Sequence, residues 1–222
     1  MFNFAFAISI LPKLAAAATV TLYVTIVSFF LALIIGVPLA LLRRSKRRTV
    51  SRPTAIIVDF IRCTPILVQL FFLYFALPNF GIRLSPMATG LIVFSVHYGC
   101  YMSEIYRAGL EGVARGQWDA CVALSISRLE AYRSIILPQA IQPVIPAAGN
   151  YFVHMFKETP LLASISVIEM MFMSAEIGAD TFRYLEPMTV CGLLFLIMSL
   201  GAAGVIRLAE RLYGRRWRRA WN

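Results

Sequence analysis

Apolar residues run through this chain in long blocks rather than in the short alternations of a soluble fold. Five blocks are long enough to cross a bilayer: about Leu14 to Leu42, Ala55 to Leu77, Pro86 to Tyr106, Ile136 to Phe156 and Pro187 to Leu208. A span needs about 20 predominantly apolar residues, because a helix rises only 1.5 Å per residue through the hydrocarbon layer. A sixth apolar run, Leu161 to Met173, is short for a span and follows Thr159 and Pro160 directly. It is expected to be a partly inserted or membrane-edge helix continuing the fourth span. The pattern predicts an all-α integral membrane protein of five transmembrane helices, with residues 1–222 forming a single transmembrane domain.

The positions of arginine and lysine orient these spans. RRSKRRTVSR, residues 43–52, follows the first span, and RLAERLYGRRWRRAWN, residues 207–222, follows the last. The positive-inside rule places both in the cytoplasm, which puts the N-terminus outside and the C-terminus inside. The segments left outside, Pro78 to Ser85 and Ser174 to Glu186, set only Arg83 and Arg183 against Glu176, Asp180 and Glu186. A sixth full span would push the basic tail outside, which argues against one. The longest cytoplasmic segment is then Arg107 to Ile135.

Composition narrows the function classes. The chain is 59% hydrophobic and 14% charged, with a mean hydropathy of +0.75, outside the balance of a soluble domain and with no length left for a separate catalytic one. The net charge of +10 would suit nucleic acid, but the basic residues flank apolar runs, so they report topology at a lipid bilayer and no nucleic-acid partner is expected. Cys63, Cys100, Cys121 and Cys191 are scattered singly without metal-type spacing and read as small core residues. His97 has no second and third ligand at suitable spacing, so no metal is expected. The first apolar run is too long for a signal core and shows no small-residue cleavage pattern, so it is expected to stay in the membrane.

The segment 107–135 carries the densest local pattern. From Gln117 to Leu129, Trp118, Cys121, Val122, Leu124 and Ile126 recur at helical spacing, with Asp119 and Arg128 off the apolar set, which predicts a short amphipathic helix. Ser127 with Glu130 three residues on forms a capping-box pattern for a second helix, and Pro138 starts the fourth span. Two readings fit. The turns either lie on the inner leaflet and join two spans, or the small residues Ala120, Cys121, Ala123 and Ser125 admit a close partner surface.

These residues resemble a known family. Membrane subunits of binding-protein-dependent ABC importers carry a cytoplasmic motif Glu-Ala-Ala, three residues, Gly, nine residues, Ile, one residue, Leu-Pro. Asp119, Ala120 and Cys121 fall on its first three positions, Ser125 on the Gly, and Ile135, Leu137 and Pro138 on its end. The departures keep charge sign or small size, although Ser125 lacks the free access of Gly to positive φ and costs up to about 1 kcal/mol if the turn needs it. DFIRCTPILVQLFF (59–72), YMSEIYRAGLEGVARGQWDA (101–120), LPQAIQPVIPAAGNYF and FKETPLLASISVIEM resemble successive segments of the polar-amino-acid branch of that family.

The resemblance implies a type I importer permease: half of a translocation pathway, completed by a sister or identical permease subunit. Two ABC ATPase subunits bind beneath it, and an extracytoplasmic solute-binding protein delivers a polar amino acid or similar solute. It implies a bacterial inner membrane location, and it places Gly116, Gln117, Asp119, Ala120, Cys121, Leu124, Ser125, Arg128, Leu137 and Pro138 at the ATPase contact. The chain has no GxxxxGK[ST] phosphate loop, so it is not expected to be an enzyme or to hold a cofactor, and ATP and Mg belong to the partner ATPases.

Ionisable residues at membrane depth cost about 2.5–3.5 kcal/mol each on insertion scales and need partners or a wet cavity. Asn150, His154 and Glu158 are spaced i, i+4, i+8 on one helical face, with Tyr151, Lys157 and Thr159 adjoining. With His97 and Tyr101 they are candidates for the solute pathway, Lys157 pairing with a carboxylate and Glu158 with an ammonium. The alternative is that Lys157 and Glu158 merely anchor an outer helix end. Asp59 with Arg62, and Glu104 with Arg107, are i, i+3 ion pairs that either anchor helices or form a gate. Thr64-Pro65 is expected to kink the second span. An autonomous secondary transporter or channel acting as a homodimer is the rival class, though no internal repeat supports it.

Overall fold

The structure, a computed structural model, describes residues 2–221, with side chains for all of these except 209 and 212–221. Asn222 and those tail side chains, part of the basic tail 207–222, lie outside the described residues. The elements are α1 (Phe4–Arg43), α2 (Arg48–Cys63), α3 (Ile66–Phe71), α4 (Pro86–Glu111), α5 (Arg115–Ala123), α6 (Arg128–Glu130), α7 (Leu137–Glu158), α8 (Met170–Thr181) and α9 (Leu185–Trp221). A wide π-type turn over Phe72–Ala76 and a tighter one over Leu77–Phe80 extend α3, and a π-type turn over Ala131–Ile136 joins α6 to α7.

The long helix α1 begins at Asn3, whose side chain accepts from the Phe6 amide at 3.1 Å. It pairs most extensively with α4, which in turn packs on α7, while α8 and α9 close the other side of α1. The main core, including Val24, Leu70, Phe94, Tyr98, Met102, Met155 and Leu162, lies where α1, α3, α4 and α7 meet. Close approach of α1 and α4 depends on glycine. A Cβ on Gly36 would fall 2.6 Å from Met102 Cβ, and one on Gly99 would fall 2.7 Å from Ile35 Cγ2. Small residues at membrane helix crossings serve this purpose, since packing must replace a hydrophobic driving force.

Among the described residues, two helices are by themselves long and apolar enough to cross a membrane, Phe4–Arg43 and Leu185–Leu208, and two bent pairs raise the number to four at most. The helix α4 falls short in apolarity because it carries Ser95, His97, Tyr98 and Ser103, all buried against protein. At 26 residues it has the length, about 39 Å at 1.5 Å per residue; surrounded by other helices, it has no need of a lipid-facing surface along its whole circumference.

Three expected elements change. The second span, expected to run from Ala55 to Leu77, breaks at Thr64 and Pro65, both extended, and bends by 100°. Proline has no amide to donate and its ring crowds the preceding turn, so carbonyls there lose their helical partners. They find others: Gln69 Nε2 donates to the Ile61 carbonyl at 2.8 Å and to that of Thr64 at 3.1 Å, and the Thr64 hydroxyl donates to the Phe60 carbonyl. The helix that carries the fourth span starts not at Pro138 but at the Ser127 cap, and the π-type turn accommodates the missing proline amide. The run Leu161 to Met173 is not one helix: a 3-10 segment Thr159–Ile165 ends at Ser166, φ 64°, and α8 starts after Glu169, whose carboxylate accepts from the Phe172 amide at 2.8 Å.

Candidate functional site

A cavity of about 290 Å³ lies between α4 and α7, walled by His97, Tyr98, Tyr101, Asn150, Tyr151, His154 and Glu158. Spacing explains the selection. Residues 97, 98 and 101 share one face of α4, and residues 150, 151, 154 and 158 share one face of α7. The Tyr98 hydroxyl donates to Glu158 Oε2 at 2.7 Å and lies 3.1 Å from His154 Nδ1, which is itself 3.4 Å from Glu158 Oε1. Tyr101 and Tyr151 stack with ring centroids 5.0 Å apart, and the Arg62 guanidinium carbon lies 4.9 Å from the Tyr101 centroid. His97 Nδ1 meets Gln69 Oε1 at 3.3 Å, so the residue that repairs the break at Pro65 also supports the cavity wall.

Of the seven sequence candidates, the structure brings His97, Tyr101, Asn150, His154 and Glu158 together here. Lys157 is exposed and Thr159 is buried with its hydroxyl donating to the Phe156 carbonyl at 2.8 Å; neither borders the cavity. Tyr98 was absent from the sequence candidates. Its partners lie 56 and 60 residues away, and no local spacing announces them. A carboxylate flanked by aromatic faces suits a small cationic group such as an ammonium.

The ion pairs expected separately form one cluster. Glu104 Oε2 lies 2.9 Å from Arg107 and 3.8 Å from Arg62, and Glu104 Oε1 lies 2.8 Å from Arg43. Arg43 also reaches Asp59 at 3.2 Å, Arg62 lies 3.7 Å from Asp59, and Arg107 pairs with Glu111 at 2.5 Å. The cluster ties the end of α1 to α2 and α4. Arg43 was missed because in the sequence it is only the first of a basic run.

The segment after α4 folds into a short helix and a cap. The helix α5 spans Arg115–Ala123 rather than Gln117 to Leu129, because Ser125 takes φ 53° and ends it. The Ser125 amide donates to the Val122 carbonyl and the Ile126 amide to that of Cys121, both at 3.0 Å, a Schellman ending. Ser127 Oγ then accepts from the Glu130 amide at 3.3 Å, while the Glu130 carboxylate accepts from the Ser134 hydroxyl instead of reaching back. Inward, Cys121 is buried, Trp118 meets Tyr132 at 5.3 Å between centroids, and Gln139 Nε2 donates to Gln117 Oε1 at 3.4 Å. Outward, Gly116, Asp119, Ala120, Arg128 and Leu137 are exposed, with Val122 at 79%, Leu124 at 72% and Leu129 at 79% exposure; Pro138 is half-buried.

Because Ser125 holds a left-handed conformation that costs a residue with a Cβ about 1 kcal/mol, Ser125→Gly is expected to raise stability by up to that amount. In a thermal melt of the detergent-solubilised chain this is a rise of about 2–4 °C, whereas Ser125→Val lowers the midpoint. A fall with glycine would show that the serine hydroxyl, and not the backbone, holds the turn.

The family model described as binding-protein-dependent transport system inner membrane component matches residues 32–215. The chain is 40% identical over 206 residues to the probable amino-acid ABC transporter permease protein y4tG of Sinorhizobium fredii (strain NBRC 101917 / NGR234), covering 93% of this chain and 89% of that one. It is 33% identical over 216 residues to the probable amino-acid permease protein YxeN of Bacillus subtilis (strain 168), covering 96% of each. Among solved structures, that of an amino acid ABC transporter with histidines superposes with a TM-score of 0.90 at 28% identity, covering 95% of this chain and 99% of that one.

Proposed function

The chain belongs to the family of binding-protein-dependent transport system inner membrane components, and on that premise we propose that it is one permease half of an ATP-driven importer for a polar amino acid or a related zwitterionic solute. The family is one of membrane permease subunits rather than enzymes; ATP and Mg are assigned to two partner ATPases. A second permease copy or sister completes the pathway, and a binding protein outside a bacterial inner membrane delivers the solute.

The observation that carries this reading is the α5 segment. It presents Asp119, Val122 and Leu124 outward while Trp118 and Gln117 fasten it to the base of α7, through the cluster of Ile136 and Ala140 and through Gln139. A push on such a fastened knob is transmitted to α7, the helix that carries Asn150, His154 and Glu158. The solute class is supported by the cavity, where Glu158 and the tyrosine faces suit an ammonium group. In this reading residues 1–222 are one permease domain crossing five times, through α1, α3, α4, α7 and α9, with the N-terminus outside; α8 does not cross, and α5 with α6 lies in the cytoplasm.

Co-purification of the tagged chain with its candidate ATPase in mild detergent tests the reading. The wild type is expected to retain the ATPase, and Asp119→Lys to reduce recovery at least about tenfold, since reversing a charge at an interface costs more than 1.4 kcal/mol. Equal recovery with both would remove Asp119 from the contact. Uptake that proceeds without any ATPase would replace the importer with an autonomous homodimeric transporter.

A further inference from the structure

The 100° bend leaves α2 nearly perpendicular to α3, so if α3 enters the bilayer, α2 lies along its surface. Its sequence suits that position. Arg48, Ser51, Arg52, Asp59 and Arg62 gather on one side, and Val50, Ile57, Phe60 and Ile61 on the other. Much of the apolar side is unpartnered: Ile57 is 56% and Phe60 70% exposed, as is Ile56 at its edge, at 69%, while Val50 and Ile61 are half-buried. Between α2, α3 and α4 the bend opens a cleft of about 480 Å³, lined by Phe60, Ile61, Val68, Phe72, Leu73 and Val93 among others. One i, i+4 row, Arg48, Arg52, Ile56, Phe60, leads from two exposed guanidiniums to the mouth of that cleft. The carboxylate on the polar side, Asp59, is engaged by Arg43 and Arg62, which leaves Arg48 and Arg52 at the other end of α2 without an acidic neighbour among the salt bridges of the described residues.

We propose that the α1–α2 corner and this cleft form a binding site for an anionic glycerophospholipid, with the phosphate at Arg48 and Arg52 and an acyl chain laid past Ile56 into the cleft. The charge complementarity selects an anionic headgroup over a zwitterionic one, and the absence of charged lining in the cleft suits hydrocarbon. A second copy of the chain is the competing occupant of the apolar face; an anionic lipid is favoured because it also answers the charges of Arg48 and Arg52. The site is independent of whether α5 binds an ATPase.

The test uses the full chain in detergent micelles with Phe60→Trp as a reporter, the wild-type signal being subtracted. Brominated phosphatidylglycerol is expected to quench the introduced indole at about tenfold lower concentration than brominated phosphatidylcholine of the same acyl chains. Adding Arg48→Gln and Arg52→Gln should bring the two lipids to parity. Equal quenching by both lipids without those changes means general solvation by lipid and overturns the site; no quenching by either means that protein, a second copy included, covers the face, and overturns it as well. Native mass spectrometry of the unreporterised chain provides a readout that does not depend on the Phe60 substitution folding: retention of phosphatidylglycerol over phosphatidylcholine, lost in the double arginine variant, supports the site, and equal retention contradicts it.

Discussion

Glu104→Gln is expected to lower the thermal midpoint of the solubilised chain by about 5–10 °C. Glu104 stands between Arg43, Arg62 and Arg107, and its side chain is only 17% exposed. Removing one member of a buried ion pair typically costs about 3–5 kcal/mol, because the partner charge stays behind unpaired. Partial exposure of the arginines discounts this to about 2–3 kcal/mol, and a chain of this size shifts by about 2–4 °C per kcal/mol. A double-mutant cycle identifies the cause. Arg43→Gln combined with Glu104→Gln should cost at least about 1 kcal/mol less than the two changes summed, since the second removes a charge the first left stranded. Strict additivity would mean that Glu104 acts through packing, and that the cluster does not hold α1 to α4.

That cluster also shows where sequence reasoning reaches and where it stops. Both i, i+3 pairs were legible because a helix puts such residues side by side whatever the rest of the chain does. Arg43 was not, since its role depends on α1 ending beside α2 and α4. The bend at Thr64-Pro65 follows the same rule: proline announces a lost hydrogen bond but not an angle, and only Gln69, reaching back to the Ile61 and Thr64 carbonyls, lets the chain turn by 100° with those groups satisfied. Apolar run length then drew one straight span through the bend, although Ala55 to Cys63 is amphipathic while Ile66 to Leu77 is not. The turn at Ser125 went the other way. There the motif position alone raised the question of positive φ, and the backbone answers it with φ 53°.

The largest functional effect is expected at Glu158. Its Oε2 accepts from the Tyr98 hydroxyl at 2.7 Å and its Oε1 lies 3.4 Å from His154 Nδ1, so the carboxylate is aimed at the cavity rather than at an outer helix end. A hydrogen bond to a charged group contributes about 1.5–3 kcal/mol, which corresponds to a factor of about 10–100 in binding. Glu158→Gln keeps the shape and the bond from Tyr98 but removes the charge. In proteoliposomes holding the complete transporter it is therefore expected to raise the KM for uptake about 10–100-fold, with ATPase recovery and basal hydrolysis unchanged. Tyr98→Phe leaves the charge and removes only its orienting donor, so its effect should be smaller, within about tenfold. The order of the two variants carries the argument. A solute ammonium held by Glu158 makes the glutamine variant the worse of the pair. If Tyr98→Phe is equally damaging, the hydroxyl itself meets the solute, and if neither changes uptake, the cavity between α4 and α7 is not on the pathway.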